Sequence, residues 1–162
     1  MGACRIPRPK DPDAALRAEV VELLFEYVDR LRTHFEAISH SHDLTPVQAK
    51  LLLSMNEPAP MRCVADALGC DPSNVTGVVD RLEERGLVTR AECPADRRAK
   101  FLNLTATGRR QRDAFVADLF REVPGMASQS PQQIASLREA LMALCRMDQA
   151  STSTREGSSA RA

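Results

Sequence analysis

The sequence lacks the features that mark membrane, secreted and catalytic proteins. None of its 162 residues lies in a hydrophobic run long enough to span a bilayer, and its first residues contain no apolar signal-peptide region. It also has no glycine-rich phosphate loop, no HExxH zinc motif and no nucleophile elbow. We therefore expect a cytoplasmic protein that is not an enzyme and whose length suits a single domain.

Signals for disulfides and for a strong net charge are absent as well. The five cysteines are odd in number, widely scattered and free of any CxxC pair, which is typical of thiols in a reducing compartment. The 22 basic and 22 acidic residues cancel, so the total charge indicates no nucleic-acid partner. Their distribution is more informative, because residues 71–112 contain nine basic and six acidic side chains and carry +3.

Sequence signals for helix starts, by contrast, are abundant. A short polar residue precedes proline, as at helix starts with proline in the first turn, at positions 11–12, 45–46, 71–72 and 130–131. Apolar residues then recur with a 3.6-residue period, which predicts helices over residues 12–39, 46–55, 61–68, 72–85, 105–123 and 131–147. Two strands, over residues 87–91 and 98–104, flank a polar loop. The predicted fold is mainly α with a two-stranded β-wing, and the polar ends, residues 1–10 and 148–162, are predicted to be disordered.

Residues 64–105 have the spacing of a winged helix-turn-helix. This motif needs a small residue where its two helices cross, and Ala65 has that position. It also needs a glycine in the turn, which is Gly69, and β-branched residues in the second helix, which are Val75 and Val78. The second helix of this motif presents polar N-terminal residues to DNA base edges. The residues in those positions are Ser73, Asn74 and Thr76, followed by Gly77, which permits close approach.

Two arginines on the same helix are predicted to meet DNA phosphates. Arg81 and Arg85 lie on its outer flank. The alternative for each is a solvated side chain paired with a neighbouring carboxylate.

Several motifs together resemble the MarR family of bacterial transcriptional regulators, and the similarity spans residues 13–147. The motifs are Leu-Thr-Pro-Val-Gln at 44–48, Val-Ala-x-x-Leu-Gly at 64–69, Val-Thr at 75–76, Asp-Arg-Leu-Glu-x-x-Gly-Leu-Val at 80–88, Asp-Arg-Arg-Ala at 96–99 and Leu-Thr-x-x-Gly at 104–108. The resemblance implies that Arg98 at the wing tip enters the minor groove and that Asp96 fixes the loop or this arginine. Arg97 and Lys100 complete the basic wing.

The resemblance also implies how the chain is organised. One domain, residues 11–147, would contain a DNA-binding winged helix at about 45–105 and dimerisation helices at about 12–39 and 106–147. A homodimer would place two wings across a near-palindromic operator with half-sites about one DNA turn apart. Because family members commonly block their own promoters, we expect a repressor that binds double-stranded DNA.

A small aromatic or phenolic ligand is implied as the signal that releases DNA, without any cofactor or structural metal. Its pocket would lie between the first, second and fifth helices and be lined by His34, Phe35, Ile38, Leu52, Met55 and Phe115. Apolar residues at helical spacing are also what an ordinary core requires, so that interpretation stays open.

Three alternatives to this function remain. His34, His40 and His42 could gather a divalent metal, although histidines near a helix end commonly face solvent. Cys93 in the wing, near arginines, could respond to oxidation. The winged helix could also serve as a protein-interaction adaptor, and the basic wing tip favours DNA over that role.

Overall fold

The computed structural model of the chain describes residues 8–69, 72–92 and 100–156. The helices α1 to α6 span Pro12–Ser41, Pro46–Ser54, Met61–Leu68, Pro72–Glu84, Ala106–Arg121 and Pro131–Glu156. The strands β1 to β3 span Ala59–Pro60, Val88–Glu92 and Lys100–Leu104. No helix in these described ranges is both long enough and apolar enough to cross a bilayer. The mainly helical fold with a small antiparallel sheet agrees with the predicted fold class.

Side-chain caps fix the starts of three helices as predicted. The Asp11 carboxylate accepts a hydrogen bond from the amide of Ala14 at 2.8 Å and starts α1. A reciprocal capping box joins Thr45 and Gln48 at the start of α2. Ser130 and Gln133 form the same pair of bonds before α6. Because each cap satisfies amides that have no partner within the helix, these boundaries are visible in the sequence.

The sheet has three strands, whereas the sequence predicts only the two strands of the wing. β1 is the additional strand, and it pairs antiparallel with β3 through Ala59–Leu102 and Pro60–Phe101. The strand order β1-β3-β2 leaves β1 and β2 at the edges. Proline has no amide hydrogen to donate to a ladder, so an edge strand of two residues can accommodate Pro60. The prediction failed because this pairing joins residues about forty positions apart.

The core of the first compact unit, Met1–Pro124, lies where α2, α3, α4 and α5 meet the sheet. Its largest fully buried side chains are Phe115, Leu51, Leu52, Met55, Leu82 and Leu102. Val47 on α2 is 37% exposed although it is apolar. The buried stripe of α2 centres on Gln48, Leu52 and Met55, and Val47 lies at its edge.

Several apolar residues in the N-terminal half of α1 are exposed. Leu16, Leu23 and Phe25 are 62%, 58% and 68% exposed. Farther along the same helix, Phe35 and Ile38 pack against the core. Leaving this much apolar surface in water costs free energy, and exposed apolar patches are typical of contact surfaces.

The second compact unit, Gly125–Ala162, contains α6. The helix continues to Glu156, nine residues beyond the predicted end at 147, so residues 148–156 are helical although their composition predicts disorder. That segment contains alanine, glutamine, arginine and glutamate, which favour helix once a preceding helix can be extended. Leu137, Leu141 and Leu144 along α6 are exposed, and the first two line an open apolar groove of about 310 Å³.

Candidate nucleic-acid interface

The helix α4 buries one face and exposes the other, as a recognition helix must. Val75, Val79 and Leu82 are almost completely buried, while Thr76 and Gly77 are exposed. Residues three, four or seven apart share a face of a helix, so position 74 lies on the same side as Gly77 and Arg81, away from the buried stripe. The backbone of α4 therefore brings the predicted base-contacting positions to an open surface.

Several predicted DNA contacts cannot be described at the level of side chains. The side chains of Ser73, Asn74 and Lys100 lie outside the described residues, as do Asp96, Arg97 and Arg98 entirely. The backbone of Lys100 pairs with Glu92 at the far end of the hairpin from Val88 and Leu104. Their roles in DNA binding remain predictions.

The two arginines predicted to meet phosphates have different environments. Arg85 is exposed, but its Nη1 donates a hydrogen bond of 2.5 Å to the backbone oxygen of Asp43, in the turn between α1 and α2. Asp43 itself has a positive φ of 55°. The Arg81 side chain is exposed and makes no hydrogen bond or ion pair with the described residues. Arg85 therefore has a role within the protein, and the phosphate contacts of both arginines remain predictions.

The Leu-Thr-x-x-Gly motif forms the joint between the wing and α5. Thr105 caps α5, since its Oγ1 accepts from the amide of Gly108 at 2.9 Å, and it donates to the backbone oxygen of Gly86 at 2.7 Å. The amide of Thr105 donates to the oxygen of Leu87 at 3.1 Å. A Cβ atom on Gly108 would lie 1.9 Å from that same oxygen. Only glycine permits this approach, which explains why a glycine ends the motif.

An ion-pair cluster between α4 and the wing was missed in the sequence. Arg90 of β2 contacts the carboxylates of Asp80 and Glu83, with one nitrogen–oxygen distance of 2.5 Å to each. Asp80 and Glu83 belong to the family-like motif at 80–88, whereas Arg90 lies just beyond it. Alternation along β2 was the available signal, because residues 88, 90 and 92 share a face of the strand.

The residues predicted to line a ligand pocket are close together, and most are packed. Leu52, Met55 and Phe115 are buried in the core, and Phe35 meets the ring of Phe115 edge-on at 5.5 Å between centroids. Ile38 packs against the same cluster. These five residues therefore stabilise the fold as described here, and the ligand pocket stays a prediction.

Two of the three histidines contact α5. The Nε2 of His34 lies 2.9 Å from the backbone oxygen of Leu119, and that of His42 lies 2.9 Å from a carboxylate oxygen of Asp118. His40 is exposed. Among the described residues, no three histidine, cysteine or acidic side chains are grouped so that they could hold a metal ion. Cys93 lies outside the described residues, so its predicted sensing role is untested.

Comparison with known proteins finds a family match to part of the chain. The model of the MarR family matches residues 44–100, from the end of α1 to the start of β3. The chain is also similar to CouR from Rhodococcus jostii RHA1, solved bound to p-coumaroyl-CoA, with a TM-score of 0.64 and 29% identity over 80% of this chain and 94% of CouR. The winged-helix part of the chain, residues 44–100, therefore matches the MarR family.

Two further solved structures are similar to this chain. A MarR-family transcriptional regulator from Rhodococcus sp. RHA1 matches with a TM-score of 0.62 and 29% identity over 80% of this chain and 94% of its own. Wild-type MarR from E. coli in its apo form matches with a TM-score of 0.67 and 20% identity over 75% and 93% of the two chains. At that identity MarR supports the fold alone.

Proposed function

We propose that this protein is a homodimeric repressor of the MarR family that binds a near-palindromic DNA operator. The observation that carries the proposal is the open face of α4. Thr76, Gly77 and Arg81 are exposed beside a wing whose sequence contributes further basic residues. A helix with an exposed polar face can lie in the major groove of DNA while an adjacent basic hairpin contacts the neighbouring minor groove.

The uncovered apolar surface supports the homodimer. The exposed residues in the first half of α1, such as Leu16 and Leu23, and the leucines along α6 belong to the elements predicted to mediate dimerisation. A second copy of the chain is an occupant with matching chemistry, because a symmetric interface uses the same apolar patch twice. Two winged helices would then double a basic surface that is weak in one chain.

A phenolic effector is supported by the relative that was solved with one. CouR was solved bound to p-coumaroyl-CoA, a phenolic acid joined to coenzyme A. The predicted pocket residues in this chain are aromatic and aliphatic, including Phe35 and Phe115, which suits an aromatic ring. We propose that such a ligand enters by displacing packed core side chains and so lowers DNA affinity.

The proposal is tested by selecting bound DNA from a random library and footprinting the purified protein on the selected sequence. We expect two protected half-sites about one DNA turn apart, and release by phenolic acids or their coenzyme A thioesters. Selection of no sequence would contradict the DNA-binding function and favour the protein-interaction adaptor. Protection of a single half-site would contradict the homodimer alone.

A further inference from the structure

Arg90 is held by the recognition helix from three directions. Its Nη2 donates to Asp80 Oδ1 and its Nη1 to Glu83 Oε2, both at 2.5 Å, and its backbone amide donates to Glu83 Oε1 at 3.1 Å. Both carboxylates belong to α4 and the arginine belongs to β2. We name these three residues the wing clamp.

The strand pattern explains why Arg90 faces α4. Val88 is fully buried, whereas Thr89 and Ala91 are exposed, so Arg90 lies on the inward side of β2. β2 is also an edge strand, and its amides that do not face β3 need another acceptor. Glu83 provides that acceptor, and it binds the guanidinium with its other oxygen.

The charges of the clamp are satisfied within the protein. The Arg90 side chain is only 23% exposed, and its hydrogen bond to Asp80 raises the pKa of the guanidinium, with the charge of Glu83 adding to the effect. An arginine engaged in this way has few donors left for phosphate. Its planar fork directs separate N–H donors at two carboxylates in a fixed geometry, which the ammonium of a lysine does not have.

We propose that the wing clamp is a positioning site that sets the distance between the recognition helix and the wing, and thereby couples major-groove to minor-groove recognition. This proposal rests on the proposed DNA-binding function. The clamp and the Thr105 joint hold the two sides of the same hairpin, one at β2 and the other after β3. Without the clamp, the Thr105 joint still anchors the base of the hairpin. The inward face of β2, however, loses its bonds to the two carboxylates of α4.

Removing the charge of Asp80 should change DNA affinity in opposite directions under the two explanations, positioning of the wing and simple electrostatics. Asp80→Ala removes a negative charge from the recognition helix, so electrostatics alone predicts tighter DNA binding. If the clamp positions the wing, Asp80→Ala weakens binding by about tenfold, comparable with one mismatched base pair. Glu84→Ala is the matched control: it removes the same charge from the same helix at an exposed residue with no hydrogen bond or ion pair to the described residues.

The experiment measures affinity of the full chain for the selected operator and for versions with A·T-rich or G·C-rich bases under the wing. We expect Asp80→Ala and Arg90→Met to lose the preference for A·T-rich flanks while keeping the preference for the major-groove bases. Arg90→Lys should not restore the flank preference. Unfolding curves measured in parallel identify any variant that loses DNA affinity because it is unstable. Instability would weaken the preference for A·T-rich flanks and the preference for the major-groove bases equally.

Two outcomes overturn the proposal, and they are distinguishable. If the wild-type protein binds no DNA, the proposed function and the clamp fail together. If the wild type binds, and Asp80→Ala binds as tightly as Glu84→Ala with its flank preference intact, only the clamp is refuted.

Discussion

At the scale of single residues, Gly108 holds the start of α5 against the start of the wing. Because a Cβ there would meet the backbone oxygen of Leu87 at 1.9 Å, neither partner can yield by a side-chain rotation. We expect Gly108→Ala to lower the free energy of unfolding by about 3 kcal/mol, at the high end of overpacking costs. Urea-induced unfolding followed by circular dichroism measures this change.

Gly77→Ala is the matched control for that substitution. A Cβ on Gly77 meets nothing within 4 Å, and alanine is favoured over glycine inside a helix by roughly 0.5–1 kcal/mol. We therefore expect Gly77→Ala to stabilise the protein while weakening DNA binding, since this position is predicted to lie close to the bases. Equal stability of the two variants would contradict the close approach at Gly108.

Arg81 and Arg85 should respond differently to neutralisation. The Arg81 side chain has no hydrogen bond or ion pair with the described residues, so Arg81→Gln should make the slope of log K against log salt shallower by about two per dimer. Arg85 donates to Asp43, so Arg85→Gln should lower the unfolding free energy by about 1 kcal/mol and change the slope less. Binding titrations at several salt concentrations measure both slopes, and equal shifts would show that Arg85 also contacts phosphate.

At the scale of elements, the helices could be predicted well because their caps are local. Asp11, Thr45 and Ser130 each bond to a residue three positions away, so sequence spacing is sufficient. β1 could not be found in this way, because its partners are distant and its two residues have no period. The clamp was also invisible, since it depends on how β2 lies against α4. In the candidate site, the open face of α4 followed from periodicity, whereas the internal bond of Arg85 did not.

The recognition helix and the wing should contribute to binding in different ways. Asn74→Ala should change which sequences are preferred, because asparagine can pair with an adenine edge. Arg98→Ala should weaken binding on every sequence, because an arginine in a narrow minor groove responds mainly to negative potential. Gel shifts against the operator and scrambled versions separate the two effects, and a uniform loss for Asn74→Ala would contradict base recognition by α4.

At the scale of the whole molecule, dimerisation should depend on the exposed apolar half of α1. Leu23→Glu places a carboxylate on this surface, where the leucine is 58% exposed in one chain, and should shift the protein from dimer to monomer. Val47→Glu on α2, at a valine 37% exposed, is the control and should leave the dimer intact. Sedimentation velocity measures both, and an unchanged dimer for Leu23→Glu would place the interface elsewhere.

The zero net charge makes DNA binding a demanding claim, because affinity must come from a local basic surface used twice. The most direct test is the salt dependence of wild-type binding to its selected operator. If at least three basic side chains per protomer displace cations, the slope of log K against log salt should be about −5 or steeper. A slope near zero would contradict DNA recognition through α4 and the wing, and would assign this winged helix to contact with another protein.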